Sequence, residues 1–372
     1  MKGKTFLILL LVAGLLAAVA MLNFKSDGKS DGPRMGAKLL ADLPVNQVAA
    51  VIIADGESRT TLEKGAAVWQ VAERSGYPAD FEALRDTVVR LSRLKIGRSF
   101  PGSAESLARL SLLAPSGSNA SARGQQIILK DASGKILADL ILGQTRSAEN
   151  GGSGGQYLKK ADGDTVYLVD AAFRFLKTAP AEWLEKEILD IKSEKVRSVA
   201  CFVGNGPDPV YVLARPKKGQ DAELKPLPEG RRVDSARIDQ VLDALAPLSL
   251  DDVQPAEGAP QASAGQSRLV FRLYDGREIT IYPSVDDEER YTLRVAARQI
   301  AVETEADGET APQSESEDKP KETSDGKDAP VIKTAPKINA DLSPWRFSIK
   351  KWQYDSFVTH PESLLEEVKT DG

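Results

Sequence analysis

The chain has 372 residues, of which 41% are hydrophobic and 28% charged, a composition typical of a globular protein with room for two domains. The formal net charge of −5 is unevenly spread: residues 303–328 hold ten acidic residues and three lysines, a net of −7, so the remainder carries about +2. Because no part of the chain has the basic stripe that nucleic-acid binding requires, we predict no nucleic-acid partner.

Residues 1–24 predict a transmembrane anchor. Two lysines precede an uncharged apolar run from Phe6 to Phe24, which would form a helix about 28 Å long, close to the hydrocarbon thickness of a bilayer. A cleaved signal peptide is the alternative, because residues 18–20 read Ala-Val-Ala, a form that signal peptidase accepts. We favour the anchor, with a cytoplasmic N-terminus; either interpretation exports residues 25–372.

Two segments are predicted to be flexible. Residues 25–38 are mostly polar and contain several glycines, so we expect a tether. Residues 303–336 are rich in Glu, Ser, Lys, Pro and Asp and have almost no aliphatic side chains to bury, which predicts a disordered acidic insertion. The insertion lacks the spacing of an EF-hand loop, so it predicts no calcium site.

The rest of the chain contains one pattern twice. The stretch "QVAAVIIADG" places Val48 and Val51 at the start of a strand, and "KVRSVACFVGNG" places Val196 and Val199 there, 148 residues later. Short strands follow in both copies. Such self-similarity is typical of a duplicated structural unit, so we expect the two halves to share one fold.

An amphipathic helix follows the strands in each copy. "PADFEALRDTVVRLSRL" has Asp80 as an N-cap and Phe81 at the start of its apolar face, and "VDSARIDQVLDALAPL" repeats this 154 residues later with Asp234 as the cap. Pro247 is expected to end the second helix near Ala246, because proline cannot continue an α-helix.

Hairpins follow both helices, and in the second copy the turn is Asp275-Gly276. Each copy then closes with a helical piece that begins at Pro180 or Pro361, 181 residues apart, and the acidic insertion explains the larger offset. We therefore predict an α+β fold. It is a tandem duplication of a unit with an antiparallel or mixed sheet, one long helix and a short closing helical piece, in two copies spanning residues 39–190 and 191–368.

The reactive side chains predict no catalytic, cofactor or metal site. The chain has one cysteine, Cys201, in an apolar strand, and one histidine, His360, whose place in the first copy is taken by an alanine. A catalytic pair would require the strand of Cys201 to meet the late turn that holds His360. Tryptophans in such patterns pack in cores or seams more often than they bind ligands, and we select as possible interface residues Trp69, Trp183 and Trp352.

The order of these segments resembles a known family. The chain contains in succession "VWQV", "YPADFEALRDTVVRLSRLKIGRSF", "LARLSLLAP", "LILGQ", "YLKKADGDTVYLVD" and "APAEWLEKEILDI", and this order is similar to that of the bacterial domain-of-unknown-function family 4340. The resemblance covers about residues 40–200 well and the rest more loosely, and one departure is Ser111-Leu112 where the family usually has Gly-Leu. It implies a membrane-anchored envelope protein, which with the predicted anchor would be a single-pass protein of the bacterial inner membrane with a periplasmic body. Members are often encoded beside ABC-type transporter subunits, including some similar to gliding-motility export components. It implies no catalytic residues.

Two functions follow as expectations. The first is a non-enzymatic, membrane-tethered periplasmic subunit, associated with an ABC-type transport system, that contacts integral-membrane transporter subunits or other envelope proteins. The alternative is an envelope ligand-binding module that holds a glycan or a peptide in the groove between the two repeats. A carboxylate-based hydrolase would need two acidic groups facing each other in a pocket, one with a raised pKa.

Overall fold

The structure is a computed structural model, and it describes residues 34–366 apart from residues 118, 148–152, 175, 205, 264, 302–333 and 358. The predicted anchor and nearly all of the predicted insertion lie outside the described residues. The described chain forms two compact units, each discontinuous in sequence. Unit 1 contains residues 34–61 and 82–178, and unit 2 contains residues 62–81 and 179–366.

In chain order the strands and α-helices are β1 (Ala50–Ala54), β2 (Arg59–Lys64), β3 (Trp69–Val71), β4 (Tyr77–Pro78), α1 (Phe81–Ser92), β5 (Ile96–Pro101), α2 (Ala104–Arg109), β6 (Gln125–Lys130), β7 (Ile136–Ser147), β8 (Ser153–Lys160), β9 (Thr165–Val169), β10 (Glu187–Leu189), β11 (Val196–Val203), β12 (Tyr211–Ala214), β13 (Glu223–Lys225), α3 (Ser235–Leu242), β14 (Leu248–Ser249), β15 (Asp252–Pro255), β16 (Ser267–Leu273), β17 (Arg277–Val285), β18 (Tyr291–Gln299), α4 (Ala335–Leu342), β19 (Trp345–Ser348) and α5 (Lys351–Tyr354).

Unit 1 is built on an antiparallel sheet with the strand order β2-β1-β6-β7-β8-β9-β5. Helix α1 buries Leu84, Val88 and Leu91, as its spacing predicts, whereas Phe81 is 52% exposed and does not belong to the buried stripe. A core cluster forms where the buried side chains Leu112 and Val166 pack with their neighbours. The apolar side chains of this unit therefore cover a sheet, and the helices are accessory to it.

Unit 2 is built on a second antiparallel sheet with the order β13-β12-β11-β16-β17-β18-β19-β15. Side chains alternate along its central strands, so that one face is fully buried and the other is accessible. The buried face contains Leu269, Phe271, Ile279, Ile281 and Leu293, each 0% exposed. The end of β2 pairs with β3 in this unit, β3 pairs with β4, and β10 pairs with β14.

The predicted α+β class was wrong, because the structure is mostly antiparallel β-sheet. Among the described residues the longest α-helix is α1, with 12 residues, and the predicted closing helical pieces are single 3-10 turns. Two strands that the sequence reasoning missed, β5 and β15, lie at sheet edges and pair with β9 and β19. These short strands have no clear apolar alternation, so their own sequence does not reveal them.

The predicted transmembrane helix also requires correction. Residues 1–24 lie outside the described residues, and within the described ranges no helix is long and apolar enough to cross a membrane. The expected single-pass inner-membrane protein with a periplasmic body thus has no membrane-spanning helix among the described residues.

The two copies in the sequence have the same strand order. In the first copy the order is β2-β1-β6-β7-β8-β9-β5, and in the second it is β12-β11-β16-β17-β18-β19-β15. Each strand therefore has a counterpart at the same place in the other sheet. The register is repeated as well. Val51 pairs with Leu129 in the first copy, and Val199 pairs with Phe271 in the second, so β1 and β11 are offset by 148 and β6 and β16 by 142.

The closing segments form the same hydrogen bonds in each copy. The Asp80 N–H donates to the Trp183 carbonyl, and the Asp234 N–H donates to the Leu364 carbonyl, both at 2.8 Å. These pairs are offset by 154 and 181, the offsets read from the sequence. The repeated turn therefore has a structural role, because in both copies it fixes the residue before the main helix.

The start of α3 agrees with its predicted cap, since the Asp234 side chain accepts a hydrogen bond from the Arg237 N–H at 3.2 Å. The end does not agree, because α3 stops at Leu242 rather than near Ala246. The residue before a proline is disfavoured in the α conformation, so the chain forms turns ahead of Pro247 instead of a last helical turn.

Candidate functional site: the arginine face of unit 2

The three tryptophans selected from the sequence lie in different environments. Trp183 is 2% exposed and is a core residue. Trp69 is half-buried on β3, and its carbonyl accepts a hydrogen bond from the Ala79 N–H at 2.8 Å, next to the Asp80 N–H that donates to Trp183. Trp352 is 60% exposed on α5. The backbone carbonyls of Trp69 and Trp183 therefore both accept hydrogen bonds from the dipeptide Ala79-Asp80. Trp352 is the most accessible of the three tryptophans.

Cys201 and the turn that holds His360 do approach each other, but not in a reactive arrangement. The Cys201 thiol lies 3.8 Å from the carbonyl of Thr359, while the His360 residue itself is exposed. Burial raises the pKa of the Cys201 thiol to about 12, so the group is protonated at neutral pH. A protonated thiol facing a carbonyl is a packing contact.

The accessible face of the sheet in unit 2 carries a cationic depression that sequence reasoning did not find. It has a cavity volume of about 320 Å³ and lies across β11, β16, β17 and β18. We call it the arginine face, and its lining residues are Phe202, Arg268, Val270, Arg272, Glu278, Thr280, Tyr282, Ala296, Ala297 and Arg298.

One row of the arginine face consists of two arginines on either side of a buried carboxylate. In the register of the sheet, Glu278 on β17 lies directly opposite Arg272 on β16 and Arg298 on β18. The Arg272 Nε donates to one carboxylate oxygen at 3.0 Å, and the Arg298 Nε donates to the other at 2.6 Å. The Glu278 side chain is 3% exposed, so this carboxylate serves the two arginines and not the solvent.

The two arginines bond Glu278 through Nε and not through their terminal amino groups. The Arg272 and Arg298 side chains are 53% and 72% exposed, and among the described residues their hydrogen bonds run through Nε. Each guanidinium thus has Nη donors left for a ligand, and its orientation is held by Glu278. Guanidinium groups of this kind bind carboxylates and phosphates in a planar, bidentate manner.

A second cationic side chain lies about 13 Å away, four residues along β16 at about 3.3 Å per residue. Arg268 places its guanidinium 4.4 Å from the centre of the Phe202 ring and donates to the carbonyls of Gly204 and Gly206. Arg268 therefore supports the adjacent turn as well as adding positive charge. Between the two cationic positions the floor consists of the small or apolar side chains Val270, Thr280 and Ala296.

Tyr282 adds a neutral phenol to this face. Burial raises its pKa, against the opposing positive charges of Arg268, Arg298 and Arg294. The hydroxyl is therefore protonated at pH 7 and is able to donate a hydrogen bond. Three arginines and one glutamate give the arginine face a net charge of +2, in a protein whose net charge is −5.

The first copy provides an internal comparison. By the offset of 142, Arg268 corresponds to Gln126 and Arg272 corresponds to Lys130. Gln126 donates to Asp139 at 2.8 Å, and Lys130 lies opposite Ile136 rather than a carboxylate. The shared fold thus forms without the row of two arginines and one glutamate, so this row is specific to the second copy.

The arrangement suits binding rather than bond-breaking. The described residues contain no group of three or more His, Cys, Asp and Glu side chains that could hold a metal ion. Both carboxylate oxygens of Glu278 accept hydrogen bonds from arginines, so this carboxylate is occupied within the protein. What the face offers is a set of oriented hydrogen-bond donors for a negatively charged group.

The comparisons with known proteins define the family and nothing more specific. The family described as "Domain of unknown function (DUF4340)" matches residues 69–267. The match begins later than residue 40, where the close resemblance was expected to start, and it ends at the first residue of β16. No curated protein and no solved structure matches the chain. The family description names no activity, so there is no positive indication of catalysis. Because the match covers more than half of its residues, the chain belongs to the DUF4340 family.

Proposed function

We propose that this chain is an interaction protein that binds an acidic segment of a partner protein on the arginine face of unit 2. The observation that supports this most is the row in which Glu278 holds the Nε atoms of Arg272 and Arg298 and leaves their Nη groups toward solvent. Fixing a guanidinium in place reduces the entropy lost when it binds, so the row is preorganised for carboxylates.

The shape of the face favours an extended segment. Its accessible floor of small side chains separates the arginine row from Arg268 by about 13 Å, close to four residues of a β-strand. A peptide with acidic side chains at both ends of such a span would place one carboxylate on each cationic position. Uncharged glycans would leave these donors without a charged acceptor, so of the two ligand classes expected from the sequence a peptide is favoured.

The expected association with an ABC-type transport system rests on the family resemblance and stays part of this proposal. In that case the acidic segment would belong to a subunit of the transport system. Charge complementarity of this kind mainly sets specificity and the rate of association, so we expect an affinity that falls as salt rises.

Titration of a short glutamate-rich peptide into the protein, followed by isothermal calorimetry, tests the proposal. We expect saturable binding to wild type and binding roughly tenfold weaker to Arg298→Gln, because a charge-assisted hydrogen bond contributes about 1.5–3 kcal/mol and 1.4 kcal/mol is a factor of ten. Arg290→Gln is the matched control, since Arg290 is an exposed arginine in the β17–β18 loop, paired with Asp286.

Three results would count against the proposal. A lysine-rich peptide that binds as tightly as the glutamate-rich one would show that charge does not select the ligand. Equal weakening by Arg290→Gln and Arg298→Gln would indicate a diffuse electrostatic effect. Undiminished binding to Arg298→Gln, with the melting temperature of that variant unchanged, would show that the arginine row is not the binding site.

A further inference from the structure

A second cavity in unit 2 lies near the start of β11, beside the neighbouring strands β12 and β16. It has a volume of about 470 Å³, and we call it the Tyr274 cleft. The Tyr274 N–H donates to the Lys195 carbonyl, and the Arg215 N–H donates to the Arg197 carbonyl, so both residues lie beside the first residues of β11. The cleft is lined by Glu194, Lys195, Arg215, Lys218, Gly219, Tyr274, Asp275 and Arg277.

Two polar atoms in this cleft are buried without a protein partner. The Tyr274 hydroxyl and the Arg215 Nε are both inaccessible to solvent, and neither is hydrogen-bonded within the described part of the chain. An unpaired buried donor is unfavourable, because the group has lost its bonds to water and gained none in return. Nε carries only a donor and a phenol is able to donate, so the missing partner that fits both is a hydrogen-bond acceptor.

The charges around the cleft favour an anionic acceptor. The Arg277 side chain is only 9% exposed and is paired with Asp275, whose carboxylate it approaches at 2.7 Å. This pair is neutral in sum, and the remaining charged lining residues are three cations, Lys195, Arg215 and Lys218, and one anion, Glu194. The net charge of the cleft is therefore +2, which suits a dianion.

Lys218 is placed to close over such a ligand. Its Nζ lies 5.8 Å from the centre of the Tyr274 ring, on the exposed turn after β12. The neighbouring Arg215, which also lines the cleft, is fixed by a hydrogen bond from its Nη1 to the Gln220 carbonyl at 2.9 Å, and its Nε is buried without a partner among the described residues. One exposed cation and one hydrogen-bonded cation that follow β12 thus line the same cleft.

From these observations we infer that the Tyr274 cleft binds a small molecule that carries a phosphate group. A phosphate monoester has a charge of about −1.5 to −2 at pH 7 and three acceptor oxygens, which matches the net charge and supplies acceptors for Tyr274, Arg215 and Lys218. The volume lies within the range of about 300–1,000 Å³ typical of small-molecule sites. This inference is independent of the proposed peptide binding on the arginine face.

Inorganic phosphate is the probe for the first experiment. Its binding to the full chain is measured by calorimetry and by the melting temperature, with sodium chloride at equal ionic strength as the control for screening. We expect saturable binding and a melting temperature that rises with phosphate and not with chloride. A rise that is the same in chloride, or heat that does not saturate, would overturn the inference.

Variants then locate the site. Lys218→Gln should weaken phosphate binding roughly tenfold, the factor that a charge-assisted hydrogen bond supplies, whereas Lys217→Gln, the same change one residue earlier on the exposed turn, should not. Equal effects of the two substitutions would contradict binding in the cleft.

Tyr274→Phe provides a signature that a merely structural hydroxyl would not give. Because the hydroxyl has no protein partner among the described residues, its removal should leave the melting temperature without phosphate unchanged or higher, and should reduce the rise that phosphate produces. A variant that is less stable without phosphate would show that the hydroxyl is already satisfied in the folded protein. A phosphate-dependent rise equal to that of wild type would exclude the hydroxyl as a ligand.

The choice of phosphate over carboxylate is tested by succinate, a dicarboxylate whose charge at pH 7 is similar to that of phosphate or slightly more negative. We expect succinate to bind more weakly than phosphate, because its two carboxylates do not present several acceptors at one point. Succinate that binds as tightly as phosphate, or more tightly, would contradict the assignment of a phosphate-bearing ligand.

Discussion

Replacing Glu278 with glutamine should destabilise unit 2 by about 2 kcal/mol. The Glu278 side chain is 3% exposed and accepts two charge-assisted hydrogen bonds, at 3.0 Å and 2.6 Å. Each such bond contributes about 1.5–3 kcal/mol when fully buried, but the two arginines are more than half exposed and water partly replaces what they lose. Glutamine keeps one acceptor, and its NH₂ group faces the donor of the other arginine, so the loss is near that of one full bond.

Urea unfolding at pH 7, followed by circular dichroism, measures this free energy. A loss of about 2 kcal/mol corresponds to a fall in melting temperature of about 4–8 °C for a unit of this size. Glu288→Gln is the control, because Glu288 also pairs with an arginine, at 3.3 Å from Arg290, but its side chain is 74% exposed; we expect a change below about 0.5 kcal/mol. If Glu278→Gln costs no more than Glu288→Gln, the two arginines are not held by Glu278 and the preorganisation argued for the arginine face is refuted.

Three further predictions concern groups elsewhere in the chain. Thr178→Val should destabilise the protein by about 1 kcal/mol in urea unfolding, because it removes the 2.6 Å hydrogen bond from the Thr178 hydroxyl to Asp55. Burial opposes ionisation of Asp55, but this bond and the backbone N–H groups lower its pKa. The stabilisation is therefore present above the unfolded pKa of about 3.9 and is lost as pH falls through the folded value. An acid unfolding curve that Asp55→Asn leaves unchanged would contradict this. Cys201 should react with a thiol reagent at pH 8 only as fast as the protein unfolds, since the thiol is buried with its pKa raised to about 12. Trp183→Ala should cost about 3–5 kcal/mol because the residue is 2% exposed, and Trp352→Ala should change stability by less than about 0.5 kcal/mol because it is 60% exposed; similar losses in urea unfolding would contradict these burial assignments.

Local sequence chemistry predicted the parts of the fold that are built from neighbouring residues. The turn Asp275-Gly276 identified the β16–β17 hairpin, and Gly276 does adopt a positive φ of 80°. The Asp234 cap identified the start of α3 in the same way. The repeat offsets were readable because both copies retained the prolines and acidic residues of one closing turn, which forms equivalent backbone hydrogen bonds in each.

The class of the fold was misjudged because sheet edges depend on distant partners. Strand β15 pairs through Asp252 with Ser348 of β19, and the polar sequence around Asp252 has no alternation that marks a strand. Helices, in contrast, show their periodicity within a single stretch of sequence. Local sequence patterns therefore led us to overestimate the helical content relative to the strands.

The arginine face was missed for a related reason, although a signal existed. Arg268, Val270 and Arg272 alternate along β16, which marks one cationic face, but a two-residue turn at Asp275-Gly276 would place Ile279 opposite Arg272. In the structure Glu278 takes that position, one residue out of the predicted register. What the sequence does not show is that β18 lies beside β17 in the register that brings Arg298 to the same carboxylate. The residues predicted from the sequence as a possible interface were tryptophans, and the structure shows that one of them, Trp183, is a core residue.

The central claim, that unit 2 binds an acidic partner segment on the arginine face, is tested most directly by the NMR signals of the arginine Nε–H groups in protein labelled with ¹⁵N-arginine. On titration with the glutamate-rich peptide, the signals of Arg272 and Arg298 should shift together and reach saturation, while that of Arg290 stays in place. Signals of Arg272 and Arg298 that do not move, or that move no more than that of Arg290, would contradict the claim.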